Sequence, residues 1–342
     1  MDSLDVVSLT RTLIDIDSTT GRETEVGAWL ADYLRGAGYD VSEQPVDDSR
    51  FNLIATLDAP QVVLSTHLDC VPPFASSREH QGVIYGRGAC DAKGCLAAQI
   101  EATRQLRHMG ERRVGLLFVV GEERGSDGAR AANSIAPRSR YFVNGEPTDN
   151  RLALATQGVW RVRLKASGRA AHSALPHLGD SAIEKLVNAI QSLRTMTLPE
   201  DPELGQTTYS VGLISGGIAP NVIPAEAEAE VTFRTVGLAE PVRSALNGFN
   251  GLVQVEEVLE IPPARMMILP GFDTLICPFT TDVPLLSSWG RPLLLGPGSV
   301  EVAHTDREHV RIDDLHRAID QYIRIATTLL ADNGDRPRSP SY

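Results

Sequence analysis

Apolar residues recur along this chain in two rhythms, and each rhythm predicts a type of element. Val6, Leu9, Leu13 and Ile16, at three- and four-residue spacing, predict a first helix. Thr20 followed by Glu23 is a capping-box pattern. Val26, Trp29, Leu30, Tyr33 and Leu34 then line one face of a second helix, and Gly36 and Gly38 stop it. Strands are predicted over Phe51 to Leu57 and over Val62 to Thr66, the latter running into His67-Leu68-Asp69. A Gly-rich loop holding Asp91 leads to a helix over Lys93 to Met109. The unbroken apolar run Val114 to Val120 follows, a strand buried on both faces, and it ends in Gly121-Glu122-Glu123. A short strand, Tyr141 to Val143, ends in Asn144-Gly145-Glu146. This alternation predicts an α/β domain with a mostly parallel sheet and helices on both faces.

Near Gly158 the grammar changes. Strand (Val159 to Ala166), helix (Ser181 to Met196), two strands (Thr207 to Ile214 and Val222 to Thr235), helix (Pro241 to Asn250) and strand (Val253 to Ile261) succeed one another. That order, βαββαβ, is ferredoxin-like. In the fourth of these six elements Ala225, Ala227, Ala229, Val231 and Phe233 alternate with Glu226, Glu228, Glu230, Thr232 and Arg234, so one face is packed and the other polar. Ile261-Pro262-Pro263 reads as a hinge, after which α/β grammar resumes with a strand at Pro292 to Leu295 and a last helix capped by Asp313. The expected organisation is a discontinuous catalytic domain, 1–158 with 263–342, and an inserted domain, 159–262. The tail NGDRPRSPSY is expected to be disordered.

Composition narrows the class. With 42% hydrophobic and 22% charged residues among 342, the chain has the make-up of a globular protein with ample core. A formal charge of −12 disfavours nucleic acid or an anionic membrane as partner. No apolar run approaches the roughly 18 residues of a membrane span. The start MDSLDVVSLT is acidic where a signal peptide is basic, so a cytoplasmic location is expected. Cys70, Cys90, Cys95 and Cys277 show no CxxC spacing and are expected to be reduced core thiols.

Two carboxylates side by side at the mouth of a buried strand, Glu122 and Glu123, are costly unless a cation waits there. A helix N-terminus, an Arg partner or metal ions would each serve. His67 and Asp69, Glu122 and Glu123, Glu146 and, after a loop, His304 all follow the carboxyl ends of apolar strands, the rim where open α/β sheets bind ligands. Two imidazoles and several carboxylates without a Cys ligand suit a divalent metal of borderline hardness, zinc first, with cobalt or manganese able to substitute. His67, Asp91, Glu123, Glu146 and His304 make two sites only if one carboxylate bridges.

The strings STHLDCVPP, GRGACDAKG, VVGEERGSDG, VNGEPT and GPGSVEVAHT resemble the metal-binding motifs of the co-catalytic zinc amidohydrolase family. That family includes acetylornithine deacetylase, succinyl-diaminopimelate desuccinylase, aminoacylase and carboxypeptidase G. The resemblance runs over nearly the whole chain, including the inserted lid. It implies that His67 and Glu146 bind one zinc, Glu123 and His304 the other, and that Asp91 bridges them. It makes Glu122 the general base and Asp69 the partner that fixes the His67 tautomer. In the lid, the resemblance implies that His172 of GRAAHSALPH stabilises the oxyanion in the opposite subunit, which requires a homodimer formed through the lid. Asn221 and Arg234 would hold the substrate carboxylate, with the backbone of Gly298 and Ser299 as an anion nest. Arg234 also shares a strand face with Glu226, Glu228 and Glu230, where it would serve only to balance charge.

The implied activity is hydrolysis of an N-acyl, and specifically N-acetyl, α-amino acid, because GPGSVEVAHTDREHV looks most like the acetylornithine and N-acetyl-lysine deacetylases. A place in amino-acid biosynthesis would follow. Desuccinylase and metallo-dipeptidase or carboxypeptidase are the alternatives within the family. A catalytically silent relative that binds an amino acid or metal is the alternative outside enzymes.

Overall fold

The structure of the chain, a computed structural model, describes residues 4–249 and 251–331. The expected disordered tail, from Asn333, lies outside the described residues. Two compact units divide the chain: one holds the residues through Leu154, Arg265–Leu275 and those from Thr281, the other Ala155–Ala264 and Ile276–Thr280.

The first unit is an α/β domain around a six-stranded sheet. Its strands, in spatial order, are Asp40–Pro45, Phe51–Thr56, Val114–Val119, Val62–His67, Tyr141–Asn144 and Arg291–Leu294. The last four run parallel, and the first two form an antiparallel edge. Every residue of Val62–His67 and of Val114–Val119 is buried, which accounts for their unbroken apolar runs, since both sheet faces are covered. Helices Val6–Asp15, Lys93–His108 and Ile312–Ala331 pack on one another, and Thr24–Gly36 and Asp127–Asn133 pack on the antiparallel side of the sheet.

Two helix starts differ from expectation. Asp313 lies inside the first turn of Ile312–Ala331 and does not cap it. Thr20 and Glu23 form no capping box, because the second helix starts at Thr24 with Glu23 in the cap position and no side-chain cap bond. Instead Thr20 donates its hydroxyl to Asp69 Oδ2 at 2.9 Å, and Glu23 Oε2 accepts from the Gly21 amide at 2.7 Å. The first helix is capped as its sequence suits, with Asp5 accepting from the Ser8 amide.

The second unit carries a four-stranded antiparallel sheet ordered Thr208–Gly216, Glu226–Thr235, Gly158–Ser167, Gln254–Ile261. With helices Ala182–Leu193 and Glu240–Leu246 this is the ferredoxin-like order 4-1-3-2 read from the opposite edge. The inward alternation is as expected: Ala227, Ala229, Val231 and Phe233 are buried with Trp160, Val162 and Leu164. All four cysteines are buried free thiols. Among the described residues no helix is long and apolar enough to cross a membrane.

Candidate metal centre

Three parallel strands deliver the candidate ligands to one rim. Val62–His67 lies between Val114–Val119 and Tyr141–Asn144, so His67, the Glu122-Glu123 turn and Glu146 follow three neighbouring strand ends. Asp91 enters from the loop before helix Lys93–His108, and His304 from the loop after Arg291–Leu294. His304 adopts a left-handed backbone, φ 64°, unusual for a residue with a side chain.

Asp91 stands between the two imidazoles. Its Oδ1 is 3.0 Å from His67 Nε2 and its Oδ2 is 3.1 Å from His304 Nε2. Glu146 Oε2 lies 3.9 Å from His67 Nε2, and Glu123 Oε2 lies 3.0 Å from His304 Nε2. Two triads result, His67-Asp91-Glu146 and Asp91-Glu123-His304, each with donor atoms within 4.8 Å of one another, and Asp91 belongs to both. The first is deeply buried. The second opens outward, since 49% of the His304 side chain is exposed.

The Glu122-Glu123 turn answers the problem of aiming two adjacent carboxylates. Gly121 has φ 76°, which a residue without Cβ adopts freely. A Cβ there would lie 2.1 Å from Asp127 Oδ1 and 3.0 Å from Arg50 Nη1. Beyond the glycine, the amides of Glu122 and Glu123 donate to Asp69 Oδ1 and Oδ2 at 3.1 and 3.2 Å. Asp69 is fully buried and therefore clamps the turn as well as facing the imidazole. His67 Nδ1 is 3.0 Å from the Asp69 carbonyl and 3.5 Å from its Oδ1, so the carbonyl is the nearer acceptor. Either contact places the proton on Nδ1 and leaves Nε2 with a free lone pair for a metal.

The electrostatics of the cluster call for a cation. Burial, then the neighbouring Asp282, pushes the Glu122 carboxyl well above the usual range. Burial likewise raises Glu146, with Asp91 adding to it. Asp282 is raised to about 6 by its burial. Burial alone would lower the His67 imidazolium, but hydrogen bonds to Asp69 and Asp91 hold it well above its ordinary value. Hydrogen bonds to Asp91 and Glu123 raise His304 to about 10. Clustered carboxylates that resist ionisation without a positive charge, beside two imidazoles and with no thiolate, are the donor set of a borderline divalent cation. The residues fit two such ions sharing Asp91.

Several contributors carry no sequence signal of their own. Asn144 Nδ2 donates to Glu146 Oε1 at 3.3 Å, and Ser65 donates to Asn144 Oδ1 at 3.0 Å, so Glu146 is oriented from the strand end before it. Thr20 steadies Asp69 from the segment read as a helix cap. Asp282 lies in a loop stretch without a motif.

The other candidates divide by unit. Gly298 and Ser299 lie in the unit of the triads. Gly298 has φ 81° and a Cβ there would meet Cys90 Cβ at 2.5 Å, so close packing already requires glycine. The Ser299 hydroxyl accepts from the Glu301 amide at 3.4 Å. His172, Asn221 and Arg234 lie in the second unit. The strands Ala171–His172 and Val222–Ile223 pair, and the Ser173 amide donates to the Asn221 carbonyl at 3.0 Å, so two loops some fifty residues apart in sequence are joined. His172 is exposed, and its Nδ1 accepts from the Ala174 amide at 3.1 Å. Arg234 Nη1 reaches Thr280 Oγ1 at 3.4 Å, while Glu230 on the same strand face is paired with Arg163 at 2.6 Å.

Comparison with known proteins gives this arrangement its relatives. The model of Peptidase family M20/M25/M40 matches residues 63–328. A peptidase M20 domain-containing protein of Schizosaccharomyces pombe is 36% identical over 334 residues, covering 94% of this chain and 84% of that one. A probable carboxypeptidase of Aspergillus clavatus is 34% identical over 373 residues, covering 95% and 82%. Among solved structures, a tripeptidase from Staphylococcus aureus superposes with a TM-score of 0.81 at 22% identity, covering 95% of this chain and 97% of that one, which shows a shared fold. These relatives bear peptidase names, so the narrower deacetylase and biosynthetic reading is not carried by them. The matched family model and the two sequence relatives, each over most of its length, establish that the chain belongs to peptidase family M20/M25/M40.

Proposed function

We propose that this protein is a two-metal hydrolase of short peptides, cleaving the amide bond on the amino side of a residue with a free carboxylate. The observation that carries the two-metal reading is Asp91, whose two oxygens each face a different imidazole at 3.0 and 3.1 Å. In this reading His67 and Glu146 would hold one ion and Glu123 and His304 the other, with Asp91 shared by both; zinc is the expected metal, with cobalt or manganese able to replace it. Such ions, when bound, lower the pKa of a water and polarise the scissile carbonyl. Glu122, on the turn clamped by Asp69, takes the proton and returns it to the leaving amine. Asp69 holds both the His67 tautomer and the turn that aims Glu122.

The lid supplies the remaining roles. His172 accepts at Nδ1, so its Nε2 carries the proton and can donate to an oxyanion. Asn221 and Arg234 are proposed as partners of the substrate carboxylate, and the Gly298-Ser299 backbone as an anion nest. Strand Thr208–Gly216 is the edge of its sheet and exposes Leu213 and Ile214 at 65% and 62%, with Ile218 beyond it at 88%. An apolar open edge supports a homodimer formed through the lid, as the role of His172 in the opposite subunit requires.

The peptidase names of the sequence relatives support peptides over N-acetyl amino acids. The second reading, N-acyl amino-acid deacylation of the acetylornithine type, is favoured by GPGSVEVAHTDREHV. Zinc-loaded protein should be given di- and tripeptides with free and amidated C-termini, N-acetyl-ornithine, N-acetyl-lysine, N-acetyl-citrulline and succinyl-diaminopimelate. Metal-dependent cleavage of the free peptides, lost on amidation, is the expected result. Cleavage of an acylated amino acid alone would select the second reading. No hydrolysis of any of them would leave a silent binding relative.

A further inference from the structure

A buried ion pair outside the ligand set joins the loops that carry the ligands. Arg87 and Glu308 are 6% and 3% exposed, and Arg87 Nη1 meets Glu308 Oε2 at 2.5 Å. The other oxygen, Glu308 Oε1, accepts from the amide of Gly88 at 2.9 Å and from that of Asp91 at 3.4 Å. Arg87 in turn donates from Nη1 to the Thr305 carbonyl at 3.2 Å and from Nε to the Pro73 carbonyl at 3.3 Å. Pro73 follows the His67-Asp69 segment, Gly88 opens the turn to Asp91, and Thr305 is the neighbour of His304. Three ligand-bearing segments therefore meet on one charge pair.

Such a pair is a poor stabiliser by itself, because desolvating two charges roughly cancels their attraction. Its value lies in direction. A carboxylate that accepts the amide of the very residue shared by both triads fixes where that residue's side chain begins. We propose that Glu308, held by Arg87, is a positioning residue that sets Asp91 between the two ions, so that losing its carboxylate weakens both ions together. The inference rests on the two-metal reading above.

The test is a Co²⁺ titration of metal-free protein against a competing chelating dye, for wild type, Glu308→Gln and Glu308→Asp. Glu308→Gln keeps the shape and removes the charge; Glu308→Asp keeps the charge but withdraws the oxygen from the Gly88 and Asp91 amides. Both variants should bind two equivalents, each weakened about 10- to 100-fold, the range seen when a residue that orients a ligand is lost. Wild-type affinities for both equivalents in either folded variant, or weakening confined to one equivalent, would overturn the proposal. If Glu308→Gln does not fold, Glu308→Asp decides. Wild-type protein that takes up fewer than two equivalents would remove the two-metal reading itself, and is distinguished because it needs no variant.

Discussion

Gly121→Ala tests whether the backbone turn, and not merely the presence of two glutamates, makes the site. At φ 76° an alanine costs roughly 1–2 kcal/mol by the steric penalty of the left-handed region. Its Cβ would sit 2.1 Å from Asp127 Oδ1, a separation no contact tolerates, so Asp127 must move. Asp127 is bound to Arg50, which also pairs with Asp47 at 2.6 Å and with the buried Glu23 at 3.3 Å. The Asp127 side chain is 46% exposed, so displacing it from Arg50 adds at most ~1 kcal/mol. The sum, about 1–3 kcal/mol, should appear as a lower urea midpoint for metal-free protein. The functional loss should be larger than the stability loss suggests, because the two amides clamped by Asp69 follow directly. A misplacement of about 1 Å at a reacting group costs on the order of 100-fold in turnover. An alanine variant within about 0.5 kcal/mol of wild type and with unchanged turnover would refute both steps.

Glu122→Gln should retain two metal equivalents by elemental analysis and lose turnover by at least ~100-fold, the usual worth of a general base; an active variant removes Glu122 from that role. Asp69→Asn replaces an acceptor of two amides by a group with an NH₂ of its own, so turnover of fully metal-loaded enzyme should fall about 100-fold. If only metal affinity falls, the clamp on Glu122 and Glu123 is without consequence and Asp69 serves His67 alone. The pH response of metal-free protein follows from the raised groups. His304, ordinarily near 6.5 and raised to about 10 by Asp91 and Glu123, contributes stability that is present below 6.5 and lost as pH rises through 10. Glu122 and Glu146, raised by burial, act in the same direction. Asp91 opposes this only in acid: burial would raise it, but its bonds to His304 and His67 hold it below the normal value, so its contribution vanishes as pH falls. The urea midpoint in chelator should therefore be lower at pH 9 than at pH 6, and added zinc should reverse the order because its ligands bind deprotonated. A higher midpoint at pH 9 in chelator would contradict the reading of the cluster.

What could be read from the sequence, and what could not, divides by the distance over which each residue works. Val114 to Val119 and Val62 to His67 were legible as buried strands because nearly every position is apolar or small, and the candidate ligands stand at or just past their ends, His67 on one and Glu123 after the other. The lid's alternation from Ala227 to Phe233 was legible for the same local reason. Thr20 and Glu23 were misread although their spacing is right. A Thr hydroxyl caps a helix by accepting an amide of the first turn, but the helix here starts only at Thr24, and the Thr20 hydroxyl instead donates to Asp69, buried and 49 residues away. Asn144, Asp282 and Glu308 were invisible because the fold alone brings each to a distant partner, Ser65 to Asn144, Glu122 to Asp282 and Arg87 to Glu308, and such partners leave no mark on spacing.

Asp69 shows how much this can hide. Resemblance gives it one task, fixing a histidine tautomer, and the nearest acceptor for that proton is its own carbonyl at 3.0 Å. Its carboxylate, 3.5 Å from the same Nδ1, also accepts from the Thr20 hydroxyl and the Glu122 and Glu123 amides. The same division holds at Glu308, which serves amides before Asp91 as Asp69 serves amides at Glu123. In the two-metal reading each triad therefore depends on a buried carboxylate outside the candidate ligand set, so that part of the acidic density of the site would bind metal and part scaffolds backbone. That division explains why removing a non-ligating carboxylate should disturb metal binding although it leaves every donor atom in the chain.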